Sequence, residues 1–365
     1  RRICSQALGV GFGDIRITKP YIGGGFGNKQ DAWPDPLNAF LTTRVGGRPV
    51  QLAYTREETF ACTRTRHAMQ FHIVSYVRED GSFAARSIKA YSNQGAYASH
   101  AHALVANAVN GFRMMYPTGA ITSDAYTVYT NLPTAGAMRA YGIPQIGFAL
   151  ESHVDDIVTR MGLDPIEFRT KNMMKLGYVD PLTTITCHSS GLHQCIESGE
   201  TYLDYRKKRT AYALQDGPVR RGVGMAIFCY KTGVYPISLE TSACRMVLNQ
   251  DGSAQLQVGA TEIGQGADTV FTMMAAETVG VSVDKIHLIS SQDTDITPYD
   301  TGAYASRQTY VSGMAVKKTA EAFKKRILAF ASTMLNKDPW DLDIRDNAIV
   351  HVNQDKPLLS VAEVA

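Results

Sequence analysis

Four times along the chain, an extended-looking run passes through a loop of small residues into a run with helical spacing. The loops are Gly23-Gly24-Gly25-Phe26-Gly27, Ala137-Met138-Arg139-Ala140-Tyr141-Gly142-Ile143-Pro144-Gln145, Gly264-Gln265-Gly266 and Thr301-Gly302-Ala303-Tyr304-Ala305-Ser306-Arg307-Gln308-Thr309. Recurrence of this junction commits the chain to a fold in which strands feed helices, and it has a chemical consequence. A helix N-terminus presents unpaired N–H groups and a partial positive charge. Several such ends brought together would cradle a large ligand rich in anionic and oxo groups.

Composition narrows the field. The 365 residues suffice for two domains, and 44% hydrophobic with 19% charged residues is an ordinary globular balance. Lys+Arg 37 against Asp+Glu 34 leaves a formal charge of +3, too near neutral for a nucleic-acid surface. The basic clusters at 205–209, 317–318 and 324–326 read as solvent faces of helices. Six scattered cysteines form no Cys-x-x-Cys pair, so any iron–sulfur centre belongs to another domain or subunit. With no signal peptide and no apolar run long enough to span a bilayer, the expectation is a cytoplasmic protein with reduced thiols, no membrane and no nucleic-acid partner. Arg1 to Gly9 reads as the middle of a helix and Ser360 to Ala365 as the start of one, so the chain reads as an internal piece of a longer polypeptide.

The coarse element pattern has two halves. In the first, 14–23 reads as a strand feeding the first glycine loop from the alternation of Asp14 to Thr18, 31–44 carries Leu37, Phe40 and Leu41 at helical spacing, and 50–54, 70–77 and 82–92 read as antiparallel strands. Asp80-Gly81 supplies the hairpin turn. A helix over Ile143–Met161 follows from Ile146, Leu150, Val154, Ile157 and Met161, with Gly162 as its stop. Asp164-Pro165-Ile166-Glu167 opens another helix. Residues 176–219 are a polar connection with one helix. In the second half, 223–230, 242–248, 254–259 and 285–290 read as strands, while 267–279 and 311–335 read as helices, the latter with Val316, Ala320, Phe323 and Ile327 facing inward. The predicted class is α+β: two mixed-sheet domains over 1–175 and 220–365, joined by 176–219, with a cofactor site at their interface.

Taken singly, the loops carry alternatives. Gly23–Gly27 lacks the Gly-Lys-Ser/Thr ending of a P-loop, and Gly23-x-Gly25-x-x-Asn28 breaks the dinucleotide fingerprint. Phe26 either packs the loop onto the core or stands at a site wall. Gln265, between two flexible residues, either approaches a ligand or faces solvent. Arg139 either anchors phosphate or pairs with a carboxylate, and Ser306 and Thr309 either donate to phosphate or cap a helix.

Taken together and in order, Gly23–Gln30, Thr130-Asn131-Leu132-Pro133 with Ala137–Gln145, and Gly259-Ala260-Thr261-Glu262-Ile263-Gly264-Gln265-Gly266 resemble the molybdenum-binding subunit of the xanthine dehydrogenase/aldehyde oxidase family, with bacterial xanthine dehydrogenase-type large subunits as the nearest look. The resemblance runs over essentially the whole chain. It implies a molybdopterin, in mono- or dinucleotide form, whose dithiolene sulfurs hold the molybdenum, so that no His/Cys metal cluster is needed. It implies that the backbone of Phe26 and Gly27 faces the metal's oxo ligand, that Gly25 also binds the cofactor, and that Arg139 lines the metal site. Gly264, Gln265 and Gly266 would contact the pterin, Ala303 would lie against molybdenum, and Ser306 would meet the phosphate end. Phe26, Arg139 and Ala303 would thus surround the metal without a direct side-chain bond to it. Tyr141 and Tyr235 would sandwich a flat substrate, with Gln30 and Asn107 along its edge.

Two departures stand out. Xanthine-oxidising members often place a glutamate at the position of Gln30 and an arginine near that of Asn107, where this chain has neutral amides that both donate and accept. The family's catalytic glutamate lies in a Gly-Glu-Pro context, whereas Gly199-Glu200 here continues with Thr201, so no catalytic residue is expected within this piece. The expectation is a fragment, inactive alone, of a hydroxylase acting on a purine or other N-heterocycle with water as oxygen source. Electrons would pass to iron–sulfur and FAD partners, and the complete enzyme would be a homo-oligomer. An aldehyde-oxidising member, or a non-redox nucleotide or phosphate-binding module, is the alternative.

Overall fold

A computed structural model describes residues 1–234, 240–290 and 292–365, which fall into two compact units. One unit combines residues 1–53 with 231–365, and the other is residues 54–230. Helices α1 (Arg2–Leu8) and α2 (Pro34–Arg44) begin the first unit. The second carries α3 (Arg56–Cys62), strands β1 (Met69–Val77), β2 (Phe83–Gly95) and β3 (Ile121–Tyr129), with α4 (Ala101–Met115), α5 (Ile143–Met161), α6 (Pro165–Asn172), α7 (Leu192–Leu203) and α8 (Tyr205–Ala213). The chain then returns to the first unit through β4 (Cys244–Leu248), β5 (Ala254–Val258), α9 (Ala267–Val279), β6 (Ile286–Leu288) and α10 (Gly313–Leu335). It ends with β7 (Leu342–Arg345), β8 (Ala348–His351), β9 (Pro357–Ser360) and α11 (Val361–Val364).

The two units share one order of elements. In the second, β1 and β2 form an antiparallel hairpin, α4 crosses over, β3 adds parallel to β2, and α5 follows. In the first, β4 and β5 pair antiparallel, α9 crosses over, β6 adds parallel to β5, and α10 follows. Parallel neighbours require such a crossover, because a tight turn can join only antiparallel strands. The α+β class therefore holds, with small mixed sheets and a separate antiparallel sheet of β7, β8 and β9.

Burial follows the predicted stripes where they are strongest. Ile146, Leu150 and Val154 of α5 pack with Phe112, Tyr116 and Phe168. Val316 of α10 packs with Leu256 and Phe271, and Ala320 and Ile327 pack with Ile344 and Ile349. In α2 nothing is buried, and Leu37 and Phe40 stay exposed.

Several expected elements differ. Residues 14–23 make only a single bridge, Thr18 to Asp293, because the facing segment turns back on itself through Thr297 N–H to Asp293 C=O at 2.8 Å. Residues 50–54, after Gly46-Gly47 and Pro49, run without a partner strand. The segment 223–230 is also not a strand: its Ile227 N–H is taken by the Glu151 carboxylate at 2.9 Å. That carboxylate also accepts from the Tyr116 hydroxyl at 2.5 Å and pairs with the buried Arg169 at 2.8 Å, so the segment is pinned to α5 rather than to a sheet. The connection 176–219 holds two helices, α7 and α8, split at Asp204 with φ 49°. Helix α4 and strands β3 and β7–β9 are additions that the pattern reading lacks.

Candidate functional site

In the first unit three of the singled-out loops are described. The Gly24 N–H donates to the Ile263 carbonyl at 3.0 Å, which fastens the first glycine loop to the one before α9. Phe26, with φ 53°, is 57% exposed, and its ring lies over Gly24 of its own loop, where an added Cβ would come within 2.5 Å of it. Gly25 and Gly27 are half-buried, and Gln30 is exposed. A Cβ on Gly23 or Gly266 would meet nothing within 4 Å, and one on Gly264 only the Ile22 carbonyl at 3.8 Å. The backbone is thus open at these three points, as close approach of a large ligand requires.

The start of α9 is not an empty anion site. The Glu262 carboxylate accepts from the N–H groups of Gly264 at 2.6 Å, Gly266 at 3.2 Å and Asp268 at 3.0 Å. Partial burial pushes its pKa up, but these donors and the Gln265 N–H outweigh burial and hold it below the usual carboxylate range. Gln265 folds over the same loop. Its Oε1 accepts from the Ile263 N–H at 2.7 Å, and its Nε2 donates to the Thr261 carbonyl at 3.1 Å and to Gln308 Oε1. The expectation of a free helix N-terminus is corrected here: the sequence fills it with its own glutamate.

The loop before α10 is built on a fully buried arginine. Arg307 pairs with Glu240 at 2.5 Å and Asp300 at 2.8 Å, and donates to the carbonyls of Gly302 at 3.0 Å and Thr241 at 2.7 Å. Asp300 also accepts from the Gly302 N–H at 2.7 Å and the Ser312 hydroxyl at 2.9 Å. This hub holds Ala305 and Ser306 in the left-handed region, with φ 50° and 53°, leaving Ala303 half-buried and Ser306 exposed. A π-type turn, Gln308–Ser312, then leads into α10.

The second unit holds Arg139, Tyr141 and Asn107. Ala140, Tyr141 and Gly142 are three successive left-handed residues, with φ of 66°, 46° and 91°. Side chains hold them there. Arg66 Nη2 donates to the Arg139 carbonyl at 2.8 Å, and Asn107 Nδ2 donates to the Tyr141 carbonyl at 2.7 Å. The Tyr141 hydroxyl lies 3.0 Å from His100 Nδ1, and the two rings meet edge to face. Arg139 itself is exposed and Tyr141 half-buried. Asn107 thus spends its amide N–H on the loop backbone, a use that its expected place along a substrate edge did not include. Beneath the loop, His67 is 2% exposed and neither ring nitrogen has a hydrogen-bond partner. Burial above all lowers its pKa to about 4, with His100 adding to the effect and the Gly136 carbonyl, an acceptor for a protonated ring, opposing it.

Tyr235 lies outside the described residues. Among the described residues no group of three or more His, Cys, Asp and Glu could hold a metal ion. No described helix is long and apolar enough to cross a membrane. Glu262, Arg307, Arg66 and His100 are the residues that pattern reading missed. The first was visible as a Glu-x-Gly-x-Gly start to a helix, and the others left no local signal.

Models of the molybdopterin cofactor-binding domain match residues 1–173 and residues 199–365. The chain is 44% identical, over its whole length, to a xanthine dehydrogenase molybdenum-binding subunit of Escherichia coli O157:H7, of which it covers 49%. It is 30% identical over 84% of its length to a xanthine dehydrogenase of Drosophila pseudoobscura, covering 23% of that protein. The chain therefore spans about half the length, or less, of the curated relatives it matches. Among solved structures, quinoline 2-oxidoreductase from Pseudomonas putida 86 matches all of the chain and 48% of that protein, with a TM-score of 0.87 at 23% identity, a likeness of fold. With both of its halves matched, the chain belongs to the molybdopterin cofactor-binding domain family.

Proposed function

We propose that this chain is the cofactor-holding part of a molybdenum hydroxylase that oxidises a purine or a related N-heterocycle. The supporting observation is the identity, over every part of the chain, to a xanthine dehydrogenase molybdenum-binding subunit. Bound molybdopterin supplies hydroxylation of an electron-poor ring carbon, with water as the source of oxygen. The chain's own residues bind and orient. Gly25, Phe26 and Gly27 present backbone at the metal end of the cofactor, with Arg139 and Ala303 also bordering it. Gly264, Gln265 and Gly266 hold the pterin, and Ser306 meets its phosphate. Gly264 and Gly266 suit that task because the space where a Cβ would stand is open, so that a flat, rigid ligand can approach the backbone.

The Tyr141 ring stacks on the substrate, with Tyr235 as its counterpart, and Gln30 both donates to and accepts from the heterocycle edge. We assign no general base within this chain. Modules over 1–175 and 220–365 with the connection 176–219, iron–sulfur and FAD partners, a homo-oligomeric complete enzyme and a cytoplasmic location complete the reading.

The test is metal, pterin and turnover analysis of the full-length protein with its partner subunits. We expect molybdenum and pterin in equal amounts and oxidation of hypoxanthine or xanthine with an artificial electron acceptor. Purified protein that carries pterin without molybdenum, or that oxidises only aldehydes, overturns the assignment.

A further inference from the structure

Helix α4 presents one stripe to the loop that precedes α5. His100 caps its start, and Leu104, Asn107, Ala108 and Gly111 follow on the same face at spacings of four, three, one and three residues. Each member of this stripe meets residues 140–146. His100 reaches the Tyr141 hydroxyl at 3.0 Å, and Asn107 reaches the Tyr141 carbonyl at 2.7 Å. A Cβ on Gly142 would come within 2.9 Å of the Leu104 carbonyl and 3.1 Å of the Ala108 Cβ. A Cβ on Gly111 would come within 2.7 Å of the Ile143 side chain and 3.3 Å of Ile146. The small residues bring the loop down onto the helix, and the two polar ones seize Tyr141 by its backbone and by the far end of its ring.

That pair of grips differs in what it controls. Asn107 holds the peptide, so any side chain at position 141 would be served equally. His100 holds the side chain, by the hydroxyl and by an edge-to-face contact with the ring, and so it fixes the rotation of the ring about its bond to the backbone. A tyrosine has two side-chain torsions, and anchoring its tip removes most of its freedom. A stacking surface works in proportion to how well its plane is held.

Resting on the proposed reading of Tyr141 as a substrate wall, we propose that His100 is a specificity-determining positioning residue, which orients the Tyr141 ring for planar heterocycles through the hydroxyl–imidazole hydrogen bond. The substrate class that follows is flat and bicyclic. A small acyclic aldehyde has no ring to stack and would be indifferent to residue 100.

The test uses the full-length holoenzyme with His100→Leu, His100→Gln and Tyr141→Phe. With hypoxanthine as substrate, His100→Leu and Tyr141→Phe should each raise KM about five- to tenfold with kcat within about twofold, the loss expected of one hydrogen bond. The double variant should be no worse than either single one. His100→Gln, which keeps a hydrogen-bonding group, should recover most of the loss, and molybdenum and pterin content should match the parent enzyme. Unchanged KM in His100→Leu, additive effects in the double variant, or loss of pterin from it would overturn the proposal. A crystal structure of His100→Leu separates the two levels of inference. A Tyr141 ring left in its original orientation sinks the role of His100 whatever the substrate, whereas a displaced ring in an enzyme whose parent does not act on heterocycles supports the positioning and sinks the functional reading.

Discussion

The loop before α5 and the loop before α10 occupy the same place in their two units, and each contains an arginine beside left-handed residues. In one the arginine is Arg139, exposed, with Ala140, Tyr141 and Gly142 behind it. In the other it is Arg307, fully buried, with Ala305 and Ser306 before it. The backbone problem is the same, since left-handed non-glycine residues cost energy and must be held. The solutions are opposite. The first loop is held from outside, by Arg66, Asn107 and His100, and its own arginine is exposed. The second is held from within, by its own arginine against Glu240 and Asp300. An arginine in such a loop is therefore either a tool or a rivet, and burial tells which.

Removing each arginine is the most forceful way to break the comparison. Arg307→Met leaves Asp300 and Glu240 as uncompensated carboxylates in a buried place, and should destabilise the first unit by about 3–5 kcal/mol. Arg139→Met touches an exposed side chain and should change stability by no more than about 0.5 kcal/mol. Denaturant unfolding of the full-length protein reads both. Equal losses would show that the two arginines do the same job and that the distinction is false.

A smaller effect separates the loops by their glycines. Gly142 has φ 91° and lies hard against α4, whereas Ser306 already carries a side chain at φ 53°. Gly142→Ala must accept both the left-handed cost and the crowding against the Leu104 carbonyl, together about 2–4 kcal/mol. Ser306→Ala adds no atom and should fall within about 0.5 kcal/mol. A harmless Gly142→Ala, measured by thermal unfolding, would mean that α4 does not dictate the path of the loop.

These contrasts also explain what could be read from the sequence. Helices α5 and α10 carry strong periods, α5 and α9 end at Gly162 and Gly280, and the β1–β2 hairpin has an Asp-Gly turn, signals that act over a few residues. Helix α4 escaped because His100 gives no side-chain cap and Gly111 interrupts its pattern, and β3 escaped because almost all of it is exposed. The segment 223–230 alternates like a strand, yet its backbone is claimed by Glu151, 76 residues away from Ile227 in sequence. The candidate site divides along the same line. Glycines and Arg139 announce themselves locally, while the grips on Tyr141 come from His100, 41 residues distant, and that on Arg139 from Arg66, 73 residues distant. Contacts of that range exist only once the fold has formed.

The mildest test concerns the carboxylate that the chain sets into its own glycine loop before α9. Glu262 closes the start of α9 in the first unit, where α5 in the second starts at Gly142 with no side-chain cap. Glu262→Gln keeps one acceptor oxygen and loses the charge, so at neutral pH it should cost about 1–2 kcal/mol, at the lower end for charge-assisted bonds because the group is only half-buried. The pH dependence carries the sharper information. The folded-state pKa of Glu262 is held below its ordinary 4.5, so its contribution is present above that value and is lost as pH falls through the lower folded-state one. The gap in stability between the parent protein and Glu262→Gln should therefore be full at pH 7 and shrink progressively below pH 4.5. A gap that stays constant into strong acid would show that the carboxylate's charge is not what fastens the loop. The α9 start would then be no different in kind from that of α5, which is made without any acid at all.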